Sequence, residues 1–136
     1  MSIITVNGVF DILHVGHIRL FKKAKEYGDT LIVLINSDES VKRLKGKNRP
    51  INSQFERMEV LESIKYVDKV GIFWEDTPLE ILKRIEPRYH YKSENSIPER
   101  VEEERELLAT WGGEIILLPI QANISTTQII ERIKNG

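Results

Sequence analysis

Five short runs of apolar residues recur along the chain, and each has the length of one β-strand. The run at 30–36 is almost continuously apolar, which is typical of a strand buried on both faces of a parallel sheet. The runs predict strands at residues 3–6, 30–36, 69–73, 88–92 and 114–118.

Helical patterns separate these runs. Apolar residues at helical spacing fill 18–27, and Gly28 is a plausible helix stop. The predicted helix starts are the capping boxes at 53–56 and 77–80, Pro98 and the hydroxyl-rich stretch 125–128. The segment 42–52 has no periodicity, and we expect it to be a mobile loop.

The alternation of strand and helix predicts an α/β fold, with a parallel sheet and helices on both faces. We expect one Rossmann-like, doubly wound domain over residues 1–136, with a five-stranded sheet. In such sheets, ligands bind beyond the carboxyl ends of the strands, where the strand order reverses. The residues that follow the first, second, fourth and fifth predicted strands are therefore expected to form one pocket.

The segment 7–17, NGVFDILHVGH, follows the first predicted strand and leads into a helix. His14 and His17 are three residues apart, so one helical turn places both rings on the same side. Gly16 between them lets a ligand approach the backbone. Imidazoles beside the positive end of a helix can donate hydrogen bonds to phosphoryl oxygens as charge develops. Asp11 is expected to fix the turn by hydrogen bonding to backbone N–H groups.

Two further groups have both a structural and a functional interpretation. Five cations lie within 42–49, which is either a solvated loop or a basic segment that closes over a triphosphate. The hydroxyls at 125–127 are either an ordinary helix cap or part of an anion site. His90, alone within a predicted strand, is expected to be structural, and Asp38 is a candidate for positioning ribose or metal.

The composition narrows the possible classes of protein and of functional site. The apolar content of 40% suits an ordinary globular domain, and the net charge of −1 gives no support to a nucleic-acid or membrane partner. With no cysteine and three histidines, we expect no disulfide, no cysteine nucleophile and no protein-built transition-metal site. Neither a membrane span nor a secretory signal is visible, so a cytoplasmic location is expected.

The 7–17 motif resembles the HxGH signature of the nucleotidyltransferase superfamily. Over essentially the whole chain, the sequence is most similar to the adenylyltransferase domain of bacterial ADP-heptose synthase. The resemblance is carried by 36–50, Arg57-Met58, Val67-Asp68, 75–78, 112–114 and the Ile-Ser-Thr-Thr of 124–127.

The resemblance implies transfer of an adenylyl group from ATP to heptose 1-phosphate with Mg²⁺, and release of pyrophosphate. It also implies a homodimer. The catalytic residues would be His14, His17, Lys45 and Arg57, where the arginine reaches the triphosphate. The nucleotide-binding residues would be Asn7, Gly8, Val9, Phe10, Gly16, Asp38, Lys47, Arg49, Lys92, Ser125, Thr126 and Thr127.

Two departures from the family pattern bear on the substrate. After the fourth strand, the family has a lysine, two glycines, an aspartate and an aromatic residue, whereas this chain has KSENS at 92–96, which indicates an altered acceptor or base pocket. The arginine, threonine and glutamate of glycerol-3-phosphate cytidylyltransferases are replaced at 120–122. A CTP-dependent cytidylyltransferase acting on a polyol phosphate is the alternative enzyme, and a non-catalytic nucleotide-binding module is the alternative of another class.

Overall fold

A computed structural model describes residues 2–93, 96–118 and 126–135. In those residues, five strands alternate with six helices. The elements are β1 (Ile3–Gly8), α1 (Val15–Lys25), β2 (Thr30–Asn36), α2 (Asp38–Lys45), α3 (Gln54–Glu62), β3 (Lys69–Phe73), α4 (Leu79–Ile85), β4 (Tyr89–Ser93), α5 (Pro98–Ala109), β5 (Glu114–Leu118) and α6 (Thr126–Asn135). None of these helices is both long enough and apolar enough to cross a membrane.

The five strands form one parallel sheet in the order β3-β2-β1-β4-β5. From β1, the chain builds β2 and β3 on one side and then returns to place β4 and β5 on the other. The order therefore reverses between β1 and β4, where Thr5 lies opposite His90. This confirms the predicted sheet and places the ligand crevice of such folds at the carboxyl ends of β1 and β4.

Helices cover both faces of the sheet, because alternate residues of each strand point to opposite sides. On one face, α1 and α3 pack on the sheet, and the buried residues include Ile4, Val33, Ile35, Phe21 and Leu61. On the other face, α4 and α5 pack on it through Leu34, Phe73, Ile81, Leu82 and Leu108. The doubly wound arrangement is confirmed.

The start of α4 differs from the prediction. The expected capping box placed Thr77 as the cap and Pro78 inside the helix. In the structure Pro78 is the cap residue, with a ψ of 13° and no side-chain cap hydrogen bond. That ψ lies outside the helical range, so the first turn begins one residue later than predicted, at Leu79.

The prediction of a loop over 42–52 is wrong for residues 42–45, because α2 extends to Lys45. The Ser37 hydroxyl caps this helix by accepting the Ser40 N–H. Acidic residues occupy its first turn and basic residues occupy its last. These charges interact favourably with the helix dipole and stabilise the helix. Gly46, with a φ of 105°, then ends the helix in a conformation that favours glycine.

Candidate active site

The two histidines of the motif lie at the start of α1, the helix that follows β1. His14 is the N-cap residue, and its Nδ1 accepts the backbone N–H of Gly16 at 3.1 Å. The backbone N–H of His14 in turn donates to Nδ1 of His17 at 3.2 Å. The ring centroids are 3.9 Å apart with an interplanar angle of 31°, so the imidazoles lie nearly face to face. The predicted grouping of both rings on one side is confirmed.

These contacts determine where the imidazole protons are. Since each Nδ1 accepts a hydrogen bond, a neutral ring carries its proton on Nε2. Burial lowers the pKa of His14, and burial together with the neighbouring His14 lowers the pKa of His17 to about 4. Nε2 of His14 is buried and has no hydrogen-bond partner among the described residues. At neutral pH, the pair therefore offers two uncharged N–H donors.

The lowered pKa of His17 predicts a pH-dependent stability. The unfolded histidine titrates near 6.5, so between about pH 4 and 6.5 the unfolded state binds more protons and protonation favours unfolding. The contribution of the neutral ring is complete above pH 6.5 and is lost as the pH falls towards 4. After allowance for solvent screening, we expect the free energy of unfolding to fall by about 1–2 kcal/mol over this pH range.

Urea unfolding at pH 7.5 and pH 4.5 measures this loss. A His17→Gln variant, which has no ring to titrate, is the control, because the other titrating groups remain the same. The wild type should lose more unfolding free energy than the variant. Equal losses in the two proteins would contradict the assignment.

Phe10 supports His17 from the end of β1. Its ring makes edge-to-face contacts with His17 and Phe21, at centroid distances of 5.3 and 5.2 Å. Phe10 has a φ of 49°, an uncommon conformation for a non-glycine residue. A Cβ on Gly8 would lie 2.9 Å from that ring, so glycine is needed there for the close approach. The predicted nucleotide-binding residue Phe10 thus has a packed ring in this structure.

Arg57, which the resemblance places against the triphosphate, is bound to protein oxygens in this structure. Its side chain is fully buried. Nε donates to the carbonyl oxygen of Asn52 at 3.1 Å, and Nη1 donates to those of Val9 and Asn36 at 3.0 and 2.8 Å. Nη2 donates to Oδ1 of Asp38 at 2.9 Å. These contacts engage four of the five N–H groups of a guanidinium, so Arg57 ties the ends of β1 and β2 to α2 and α3.

Asp11 binds the residues that follow the basic segment 42–49, and so links that segment to the histidine motif. Its carboxylate accepts the backbone N–H groups of Ile51 and Asn52 at 2.7 and 2.8 Å. Asp11 thus binds backbone N–H groups as expected, but these groups belong to the segment before α3 and not to the turn that contains Asp11. Nη1 of Arg49 lies 3.9 Å from the same carboxylate. The basic segment 42–49 is therefore anchored at its C-terminal end, beside the histidine motif.

The other predicted cations differ in exposure. Lys45 and Lys47 are exposed, and neither forms an ion pair with any part of the chain that the structure describes. Lys92 is nearly buried on β4, and its ammonium group lies 2.9 and 3.0 Å from the two carboxylate oxygens of Glu104. Glu104 was missed by the sequence analysis, because Glu102, Glu103 and Glu104 look alike in the sequence. Burial by α5 alone distinguishes it.

The remaining predicted site residues are only partly placed. Asn7 lies at the end of β1, and Gly16 is buried in the first turn of α1. The backbone of Thr126 and Thr127 begins α6, while Ser125 lies outside the described residues. The structure therefore brings together the ends of β1 and β2, the start of α1 and the start of α3.

Comparison with known proteins places the chain in a family. The family model described as cytidylyltransferase-like matches residues 5–132. Bifunctional protein HldE from Vibrio cholerae serotype O1 is 46% identical over 99% of this chain, and the HldE of Geotalea uraniireducens is 42% identical over 98%. The chain spans only 28% and 27% of the length of these two curated relatives.

A solved structure agrees in fold. The lipopolysaccharide core biosynthesis protein from Thermoplasma volcanium superposes with a TM-score of 0.74 at 27% identity, covering 91% of this chain and 99% of that one. The family model covers almost the whole sheet and the start of α1 that carries both histidines. The chain therefore belongs to the cytidylyltransferase-like family, as its histidine motif predicts.

Proposed function

We propose that this chain transfers a nucleoside monophosphate, AMP from ATP in the preferred case, to a sugar phosphate such as heptose 1-phosphate. The observation that carries the proposal is the pair of neutral Nε2–H donors at the start of α1. They stand at the carboxyl end of β1, next to the point where the strand order reverses. Donors fixed before the reaction can stabilise charge that develops on a phosphoryl group.

The chemistry is an in-line displacement. An oxygen of the acceptor phosphate attacks the α-phosphorus of the nucleoside triphosphate, and the bond from that phosphorus to the bridging oxygen breaks to release pyrophosphate. The acceptor oxygen is already ionised, so neither a general base nor a covalent intermediate is required. His14 and His17 donate to the phosphoryl oxygens, and the N-terminus of α1 adds a favourable dipole. Catalysis then consists of positioning and charge stabilisation.

Arg57 serves this reaction by holding the site together. With four N–H groups bound to protein oxygens, a phosphate contact needs its fifth N–H or an exchange of partners. Lys45 and Lys47 are the cations that we assign to the β- and γ-phosphates, because they are exposed and unpaired within the described part of the chain. Arg49, next to Asp11, is a further candidate.

A divalent cation fits the proposal as a companion of the triphosphate. Among the described residues, no group of three acidic or histidine side chains could hold a metal ion. The carboxylates of Asp11 and Asp38 are already bound by backbone N–H groups and by Arg57. The described residues thus supply no metal cage there, whereas Mg²⁺ commonly binds to substrate phosphates with few protein ligands.

The preference for ATP and a sugar phosphate rests on two similarities. The sequence resembles the adenylyltransferase domain of ADP-heptose synthase over its whole length, and a structural neighbour is a lipopolysaccharide core biosynthesis protein. The replaced residues at 120–122 count against a glycerol-3-phosphate cytidylyltransferase. A non-catalytic module is the less favoured alternative, since nucleotide binding alone does not require two donor imidazoles.

Pyrophosphate release in the presence of Mg²⁺ tests the proposal. ATP and CTP are crossed with heptose 1-phosphate, glycerol 3-phosphate and other phosphorylated polyols. Turnover with ATP and heptose phosphate is the expected result. Turnover confined to CTP would favour the alternative enzyme. Nucleotide binding without turnover for any pair would contradict the proposed activity.

The exposed lysines provide a second test. We expect a Lys45→Ala/Lys47→Ala variant to raise the KM for the triphosphate by roughly tenfold, because a hydrogen bond to a charged group contributes about 1.5 kcal/mol. The effect should shrink at high salt, since exposed charges are screened. Lys65→Ala is the matched control, because this exposed lysine precedes the amino end of β3, at the opposite edge of the sheet. An unchanged KM in the double variant would contradict the assignment.

A further inference from the structure

A cluster of buried polar side chains lies beneath the carboxyl ends of β1 and β4. We call it the Glu104 cluster, and its members are Thr5, Asn7, His90, Lys92 and Glu104. All of them except Asn7 are at most 9% exposed. Thr5 and Asn7 come from β1, His90 and Lys92 from β4, and Glu104 from α5. The cluster therefore spans the two strands between which the strand order reverses.

One carboxylate joins the two β4 side chains. Oε1 of Glu104 lies 3.1 Å from Nε2 of His90 and 2.9 Å from Nζ of Lys92, and Oε2 lies 3.0 Å from the same Nζ. The imidazole continues the chain of contacts into β1. Its Nδ1 lies 2.6 Å from the Thr5 hydroxyl, and its Nε2 lies 3.2 Å from Oδ1 of Asn7.

These contacts show which atoms of the Glu104 cluster carry protons. Nε2 of His90 faces two acceptors, so it carries a proton, and Nδ1 accepts from the Thr5 hydroxyl in the neutral ring. Burial lowers the pKa of His90 despite the adjacent carboxylate. Burial raises the pKa of Glu104, but the hydrogen bonds from His90 and Lys92 and the charge of Lys92 outweigh that effect and hold the pKa below its usual range. The cluster thus contains one negative and one positive charge, which cancel.

Two side chains of the cluster, Asn7 and Lys92, still have N–H groups for a ligand. Because Oδ1 of Asn7 is held by His90, its amide N–H groups are left to point elsewhere, and they have no hydrogen bond to any described residue. Two of the three N–H groups of Lys92 are directed to Glu104, and its charge is compensated. Donors without net charge suit the neutral acceptor atoms of a ribose or base better than they suit phosphate oxygens.

We propose that Glu104 is a positioning residue for the nucleoside half of the nucleotide, because it orients Asn7 through His90 and neutralises Lys92. The inference rests on the proposed function, and it divides the site into two halves. The histidine pair and the exposed lysines hold the triphosphate, and the Glu104 cluster holds the ribose or base. A buried ion pair adds little stability compared with apolar side chains, which leaves room for a positioning role.

Binding of two probes tests the nucleoside half and the triphosphate half of the site separately. ATP contains the nucleoside and inorganic triphosphate does not, so Kd values for both are measured by calorimetry on the wild type, Glu104→Gln and Glu103→Gln. Glu103 is the exposed neighbour on α5 and serves as the matched control. Glu104→Gln should weaken ATP binding at least tenfold, while its affinity for inorganic triphosphate stays within twofold of the wild type. Both affinities should be unchanged in Glu103→Gln.

Two results would overturn the inference. One is a Glu104→Gln protein that binds ATP as tightly as Glu103→Gln does, and the other is an equal loss for both probes, which would indicate general damage to the site. If the single variant fails to fold, Lys92→Met/Glu104→Met removes both charges together and is judged by the same comparison. Neither measurement needs turnover, so failure of the proposed transfer reaction is recognised separately in the wild type.

Discussion

A His17→Ala variant is expected to lose about 100- to 1,000-fold in kcat, the range typical of removing one preorganised donor from a developing oxyanion. The Nε2–H of His17 is held in place from two sides, since Nδ1 accepts the backbone N–H of His14 and Phe10 packs against the ring. The KM for the triphosphate should change far less than kcat, because the donor acts mainly in the transition state. Pyrophosphate release under saturating substrates measures the loss.

Two amide variants separate the donor from the helix cap. Asparagine at position 17 keeps an acceptor near the place of Nδ1, and so keeps the bond from His14, but it has no group near Nε2. The longer side chain of glutamine at position 17 places an amide N–H near the position of Nε2 in the histidine ring. We expect His17→Gln to retain about ten times more activity than His17→Asn. The reverse order would mean that His17 serves the start of α1 and not the phosphoryl group.

The sequence predicted the sheet well because buried parallel strands leave a local signal. The run at 30–36 is apolar at nearly every position and corresponds to β2 without change, whereas β1 extends two residues beyond its predicted end, to Gly8. Short apolar runs bounded by turn and capping residues can be recognised from the local sequence alone. The parallel, doubly wound arrangement also follows from general rules for alternating strands and helices, whereas the order β3-β2-β1-β4-β5 is known only from the structure.

Helix α2 was missed because its apolar signal is weak. In its eight residues, Val41 is the buried apolar side chain and Leu44 is exposed, so no amphipathic stripe is visible. Its start signal was nevertheless present, in Ser37 followed by Asp38 and Glu39. A polar helix is better recognised by its cap than by its periodicity.

The candidate site was predictable only where one turn of backbone contains the geometry. The spacing of His14 and His17 is a local property, so the sequence predicted their grouping. The environments of Arg57 and Glu104 depend on strands and loops that are distant in the chain. No local pattern shows that three carbonyl groups from separate segments converge on Arg57, or that Lys92 and His90 face the same carboxylate.

Replacing Arg57 with lysine should lower the free energy of unfolding by about 3–5 kcal/mol. A lysine ammonium has three donors and no planar fork, so it cannot satisfy the carbonyl groups of Val9, Asn36 and Asn52 together with Asp38. At least one buried oxygen then loses its partner. Urea unfolding at pH 7.5, where the histidines are neutral, measures the change.

Arg43→Lys is the matched control, because the pair of Arg43 with Asp76 is about half exposed on both sides. An exposed pair contributes at most about 1 kcal/mol, so this variant should unfold almost as the wild type does. A large loss for Arg57→Lys beside a small loss for Arg43→Lys would establish that the guanidinium holds the strand ends together. If Arg57→Lys instead keeps its stability and raises only the KM for the triphosphate, the arginine acts on phosphate, as the family resemblance implies. The two roles thus predict opposite changes in two separate measurements on one variant.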